Sequence, residues 1–118
     1  MVWLIESYEF GGMVINGKRY SSDLIVFPDS VIDGWRRREG HRVLLKDLEA
    51  ALKTEPRPDT LVVGTGYSGL MKVSDEVEEA LRSMRIRLVA QPTKEAYQTF
   101  NQLLKSGRKV VAAFHLTC

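Results

Sequence analysis

One cysteine in 118 residues cannot close an internal disulfide, and with two histidines beside it the chain lacks the four ligands of a structural zinc site. Such a count fits reducing surroundings. Charge of one sign is also scarce: 17 Lys and Arg stand against 15 Asp and Glu, a net +2 that implies no nucleic-acid or membrane partner unless the cations cluster. Long apolar runs are missing as well. Val110-Val111-Ala112-Ala113-Phe114 and Leu61-Val62-Val63 are strand-sized, far below the roughly 20 residues of a membrane crossing. The opening Met1-Val2-Trp3-Leu4-Ile5-Glu6 meets an acid too early for a secretory signal and is poor in the Arg and Ser of a transit peptide, so the expected address is cytoplasmic.

What is present matches ordinary globular usage, with 44% hydrophobic and 27% charged residues. The length suffices for one buried core but not two, so residues 1–118 are read as one domain.

The two halves have different rhythms. Trp3 to Phe10, Met13-Val14-Ile15 and Leu24-Ile25-Val26-Phe27 read as extended, and Asn16-Gly17 between apolar runs predicts a hairpin because both residues tolerate positive φ. From Val31 to Arg42 no period holds, and Gly34 and Gly40 bracket a basic run, which predicts an irregular loop. Leu44, Leu45, Leu48, Ala51 and Leu52 then recur at helical spacing, giving a short helix near 45–53 that Pro56 and Pro58 stop from continuing.

The second half alternates strand and helix. Thr60–Val63 is a strand; Ser74 can cap a helix with Asp75 and Glu76 in its first turn and Arg82 and Arg85 in its last. Ile86–Ala90 is the next strand, Thr93 can cap a helix with the stripe Ala96, Tyr97, Phe100, Leu103 and Leu104, and Gly107 stands where a C-terminal glycine belongs. Val110–Leu116 closes the pattern. Strand, helix, strand, helix, strand implies three parallel strands, which the N-terminal hairpin region must extend or cover.

Chemistry is harder to find. Gly64-Thr65-Gly66-Tyr67-Ser68-Gly69 fits G-x-G-x-x-G after a strand, but the helix begins several residues late and no acid follows the next strand to hold a ribose. A glycine turn is the preferred reading, and no cofactor is expected. Ligands of open parallel sheets gather beyond the carboxyl ends of the strands, which brings Thr65, Gly66, Tyr67, Thr93 and His115 to one rim as candidate ligand contacts. Trp35-Arg36-Arg37-Arg38-Glu39-Gly40-His41-Arg42 is the most basic stretch. It offers Trp35, Arg37 and His41 as anion or partner contacts, with Trp35 tucked into the core, although it is too thin a footprint for nucleic acid. His115 and Cys118 invite a thiol–imidazole pair, yet three extended residues separate them by about 10 Å on opposite faces unless the chain turns sharply. No paired carboxylates, Ser-His-Asp set or metal-ligand spacing appears.

Ser7-Tyr8 to Phe10-Gly11, the Trp35–His41 stretch, Val63-Gly64-Thr65-Gly66, Thr93 with Ala96, Phe100-Asn101, Gly107, and above all the ending Phe114-His115-Leu116-Thr117-Cys118 together resemble the adipogenesis-associated Mth-domain family, which also contains a mitochondrial complex I assembly factor. The resemblance implies a three-layer α/β fold with a central mixed sheet. It supplies no catalytic residues, and the assembly role belongs to a mitochondrial branch whose targeting segment is not seen here, so that role transfers only as an expectation of protein contact. The leading reading is thus a non-enzymatic interaction or assembly protein using the 34–42 loop and the hairpin. Against it stands a small-ligand or anion-binding domain, as a binder or a weak enzyme, with its pocket at the strand ends. An unpaired edge strand could also support self-association.

Overall fold

In the computed structural model, which describes residues 3–118, Asn16 and Gly17 take positive φ of 51° and 79° and join two strands through a two-residue turn. These strands are β2 (Gly12–Ile15) and β3 (Lys18–Tyr20), with Ile15 opposite Lys18. Strand β1 (Ile5–Glu9) pairs antiparallel on the other side of β2, completing a three-stranded sheet. Met1 and Val2, the start of the apolar opening considered above for a signal segment, lie outside the described residues.

The next strands are β4 (Leu24–Phe27) and β5 (Ser30–Asp33), which pair antiparallel. This corrects the expectation that an irregular loop begins at Val31: Ile32 and Asp33 face solvent, so no apolar period betrays the strand, and it is held by its ladder to β4. The two-residue β6 (Arg42–Val43) follows, then a 3-10 turn at Leu45–Leu48 running into α1 (Glu49–Leu52), where the leucine spacing predicts a short helix. Asp47 accepts from the Leu44 N–H at 2.8 Å and fixes the start of that turn.

The alternating half forms as its rhythm implies. Strands β7 (Thr60–Thr65), β9 (Arg87–Gln91) and β10 (Val110–His115) are parallel, with β7 in the middle. The short β8 (Lys72–Val73) leads into α2 (Asp75–Ser83), and α3 (Thr93–Lys105) connects β9 to β10. Strand β4 joins the free side of β10 antiparallel, so the order β5-β4-β10-β7-β9 makes one mixed five-stranded sheet. The N-terminal region therefore both extends the sheet, through β4 and β5, and covers it, through β1–β3.

Alternation along the buried strands sends side chains to two cores. Val62, Ala112 and Phe114 face Ala96 and Phe100 of α3 together with Ile5, Met13 and Ile15 of the small sheet. Leu61, Val63, Val111 and Ala113 face Val77 and Leu81 of α2 with Leu48 and Ala51. Three layers result. The small sheet is fastened to α3 by Asn101, whose amide accepts from Ile5 N–H at 2.9 Å and donates to Ile5 C=O at 2.8 Å, as a neighbouring strand would. No helix among the described residues is long and apolar enough to cross a membrane.

Two caps differ from the sequence reading. Ser74 accepts from the Val77 N–H and caps α2, and Gly107 ends α3 at φ 85°, both as expected. Arg85, however, lies past the end of α2 with φ 60°, and Thr93 is the first residue of α3 rather than its cap. The Thr93 hydroxyl is engaged elsewhere.

Candidate functional site

Parallel β7, β9 and β10 end on the same side, and Thr93 stitches their ends together. Its hydroxyl donates to the His115 carbonyl at 2.6 Å and accepts from the Gly66 N–H at 2.9 Å, while its own N–H donates to the Gly66 carbonyl at 3.0 Å. Tyr67 N–H reaches the Thr117 carbonyl at 3.2 Å. The lip is thus closed by the chain's own backbone. The glycines serve this closeness: a Cβ at Gly64 would lie 2.6 Å from Phe114 and 2.8 Å from Thr93 Oγ1, and one at Gly66 would lie 2.6 Å from the Thr117 carbonyl. The glycine-rich turn is built for strand-end packing against protein.

Antiparallel pairing supplies the polar centre. Leu24 lies opposite Phe114, so one step further the same register sets Asp23 against His115. Asp23 Oδ2 lies 2.8 Å from His115 Nδ1 and accepts from Arg37 at 2.8 Å, while Oδ1 accepts from the Leu116 N–H at 2.8 Å. Arg37 Nη2 also lies 3.2 Å from His115 Nδ1, but the shorter contact is to a carboxylate, which only accepts, so Nδ1 is the donor there and in the neutral ring Nε2 presents a lone pair. His115 Nε2 is buried and has no hydrogen-bond partner. The Arg37 side chain is 6% exposed; its fork also donates to the Gly40 carbonyl at 3.0 Å, and its Cζ lies over the Trp35 ring, 4.7 Å from the centroid. Burial pushes the Asp23 carboxyl up, but the bonds from His115, the Leu116 N–H and Arg37 outweigh it and hold the group below the usual carboxylate range.

The basic loop is anchored on this network. Trp35 is buried as expected, its N–H donating to the Asp23 carbonyl and its indole N–H to the Asp47 carbonyl, both at 2.7 Å. His41 accepts at its carbonyl from Lys72 N–H at 2.8 Å, and Met71 N–H donates to the Thr65 carbonyl at 3.0 Å. The segment after β7 therefore straps the loop over the lip, and the exposed His41 ring stands edge-on to His115 with centroids 6.1 Å apart. The ligand atoms of His41, His115 and Cys118 lie within 4.8 Å of one another, nearer than an extended ending allows, so the chain does not run on straight after β10.

Around the lip lies an exposed apolar patch. Phe10 is 59%, Tyr67 57% and Leu70 56% exposed, and the Phe10 and Tyr67 rings meet edge to face at 5.6 Å. Tyr8 stands 6.5 Å from Tyr67 and donates to the Leu116 carbonyl at 2.8 Å; burial first, then the Tyr67 and Asp23 charges, push its phenol up to about 12.

Most residues singled out in the sequence lie on or beside this lip: Thr65, Gly66, Thr93 and His115 are buried within it, Tyr67 is exposed on it, and Arg37 and His41 reach His115 from the basic loop, whereas Trp35 is buried in the second core. Sequence reasoning missed Asp23, Phe10 and Leu70. A shallow basin of about 670 Å³ lies beside the loop, lined by Ile32, Trp35, Arg36, Arg38 and Lys46 among others. A cleft of about 460 Å³, lined by Phe27, Pro28, Pro56 and Lys109, opens at the opposite ends of the strands.

Residues 5–115 match the family described as "Protein of unknown function (DUF498/DUF598)". The human NADH dehydrogenase [ubiquinone] 1 alpha subcomplex assembly factor 3 is 32% identical over 109 residues, 92% of this chain. The chain spans 58% of the length of that relative. Among solved structures, a conserved hypothetical protein from Pyrococcus horikoshii superposes with a TM-score of 0.80 at 26% identity, over 97% of this chain and 98% of that one. A Mth938-like domain from Bordetella pertussis shares the fold with a TM-score of 0.71 at 22% identity, over 97% of this chain and 85% of that one.

Proposed function

We propose that this chain, which belongs to the DUF498/DUF598 family, is a non-enzymatic protein-interaction domain of the assembly-factor type that docks a protein partner on its strand-end lip. The observation that carries this reading is the exposed Phe10–Tyr67 pair with Leu70. Aromatic side chains held on a rigid frame bind partners at low entropic cost, and exposed apolar clusters of this kind mark interaction surfaces. Phe10 follows β1 in the hairpin region and meets Tyr67, and in this reading the 34–42 loop, tied to His115 through Arg37, adds to the same docking face. The assembly-factor relative supports the same class of role. In this reading residues 1–118 act as one domain, and the reduced single cysteine fits a cytoplasmic setting.

The test is recovery of a stoichiometric partner at low salt by the unaltered chain and by Phe10→Ser/Tyr67→Ser. Loss of that partner in the variant, with an unchanged unfolding midpoint, supports the reading. Equal recovery by both, or no partner at all, overturns it.

A second reading, a small ligand held by Thr65, Gly66, Tyr67, Thr93 and His115, is favoured by one observation: the buried His115 Nε2 lacks a partner. Separately, the basin lined by Arg36, Arg38 and Lys46 would suit an anionic ligand. Thermal-shift screening against phosphates, nucleotides and carboxylates tests it, because a ligand of the folded state alone raises apparent stability. The exposed ladder edges of β5 or β3 would serve self-association, which sedimentation over a concentration series tests.

A further inference from the structure

We infer that His41, His115 and Cys118 form a binding site for a single thiophilic transition-metal ion of the zinc(II) class, independently of the docking reading. Three observations converge on it. The ligand atoms of the three side chains lie within 4.8 Å of one another. The His115 side chain is 8% exposed, and its Nε2 has no partner. The neighbouring ring carbon Cδ2 faces the same point beside Gly66 as the Cys118 backbone, each 3.0 Å from where a Cβ would stand. Cδ2, the carbon bonded to Nε2, and the Cys118 backbone thus both border Gly66.

The surroundings are those a metal-ligating histidine needs. Asp23 lies 2.8 Å from Nδ1 as acceptor, which holds the ring and, in the neutral imidazole, leaves Nε2 free to ligate, the carboxylate–histidine arrangement that orients metal ligands. Arg37 and the Leu116 N–H hold that carboxylate in turn. Two imidazoles and one thiolate are a borderline-soft donor set that suits zinc or copper and not magnesium or calcium.

Bond lengths near 2.0–2.3 Å place tetrahedral ligands roughly 3.5 Å apart, so the set must contract by about 1 Å. His41 is exposed and Cys118 only half-buried, which leaves both free to make that movement. Binding displaces the Cys118 thiol proton to solvent and leaves a fourth position open, as in zinc sites that exchange a ligand.

Cobalt(II) titration of the full, untagged chain under a non-chelating reductant tests the site. The expected result is one equivalent per chain, a thiolate-to-cobalt charge-transfer band, and displacement by zinc. Cys118→Ser should abolish the band, and His41→Gln should weaken zinc binding by at least about 10-fold, the loss that even an outer-shell change causes. Both positions are solvent-accessible, so both variants should keep the wild-type circular dichroism. Absence of the band, a stoichiometry other than one, or unchanged affinity in both variants overturns the site. Rapid carboxymethylation of Cys118 in mild acid without metal uptake would assign a thiol–imidazole pair instead, and it too overturns the metal site.

Discussion

His115 Nδ1 lies 2.8 Å from Asp23 Oδ2 across 92 positions of sequence, and this contact joins the end of β10 to the start of β4. With Arg37 on the same oxygen, it forms a largely buried three-member network that joins β10 to the segment around β4 and the basic loop.

Removing one member leaves the others uncompensated. Asp23→Ala should destabilise the chain by about 3–5 kcal/mol, because the Arg37 charge stays buried without its partner. Asp23→Ala combined with Arg37→Met should recover part of that loss, since the stranded charge is gone. Urea denaturation of both variants checks this, with the double variant expected to unfold at the higher midpoint.

The depressed Asp23 carboxyl sets a direction in acid. Its folded-state pKa is below the unfolded value, so its stabilisation is present above about pH 4 and is lost as pH falls through the folded pKa. The stability gap between wild type and Asp23→Asn should be constant near neutrality and shrink in acid. Asp59 is lowered too, by Thr60, the Lys109 N–H and Arg108 against its own desolvation, so it should leave a similar acid slope in the Asp23→Asn chain.

Tyr8 sets the opposite direction in alkali. Its phenol is raised from 10.0 to about 12, so its contribution is complete below the unfolded value and disappears as pH rises through about 12. Denaturation midpoints of wild type and Tyr8→Phe should therefore converge in alkali, having differed at neutrality by the lost bond to the Leu116 carbonyl.

Thr93 tests the closure of the lip. Thr93→Val keeps the shape but leaves the Gly66 N–H and the His115 carbonyl unpaired in a buried place, which should cost about 2–4 kcal/mol. Thr93→Ser keeps the hydroxyl and should cost about 1 kcal/mol for the lost methyl group. Equal losses would show that the methyl and not the stitching matters.

Much of the fold was legible because local signals agreed with it. Asn16-Gly17 announced its turn through backbone freedom, Ser74 and Gly107 marked helix ends, and the alternating strands and helices from Thr60 onward gave the parallel trio. Strand β5 was illegible since it is held by backbone pairing and shows Ile32 to solvent. Asp23 has no local pattern at all: a lone acid before an apolar strand becomes a partner of His115 only once β4 is known to lie beside β10. The Thr93 hydroxyl looked like a helix cap from its spacing, yet the convergence of three strand ends gave it closer partners. The nearness of Cys118 to His115 depends on how the chain leaves β10, which no local signal in Leu116-Thr117-Cys118 announces.

The most direct test of the docking account is the hydrogen-exchange footprint of the recovered partner on this chain. Protection should concentrate at residues 8–11, 64–70 and 115–118, with the 34–42 loop at its margin. Protection confined to the cleft around Phe27, Pro56 and Lys109, at the far ends of the strands, would contradict it.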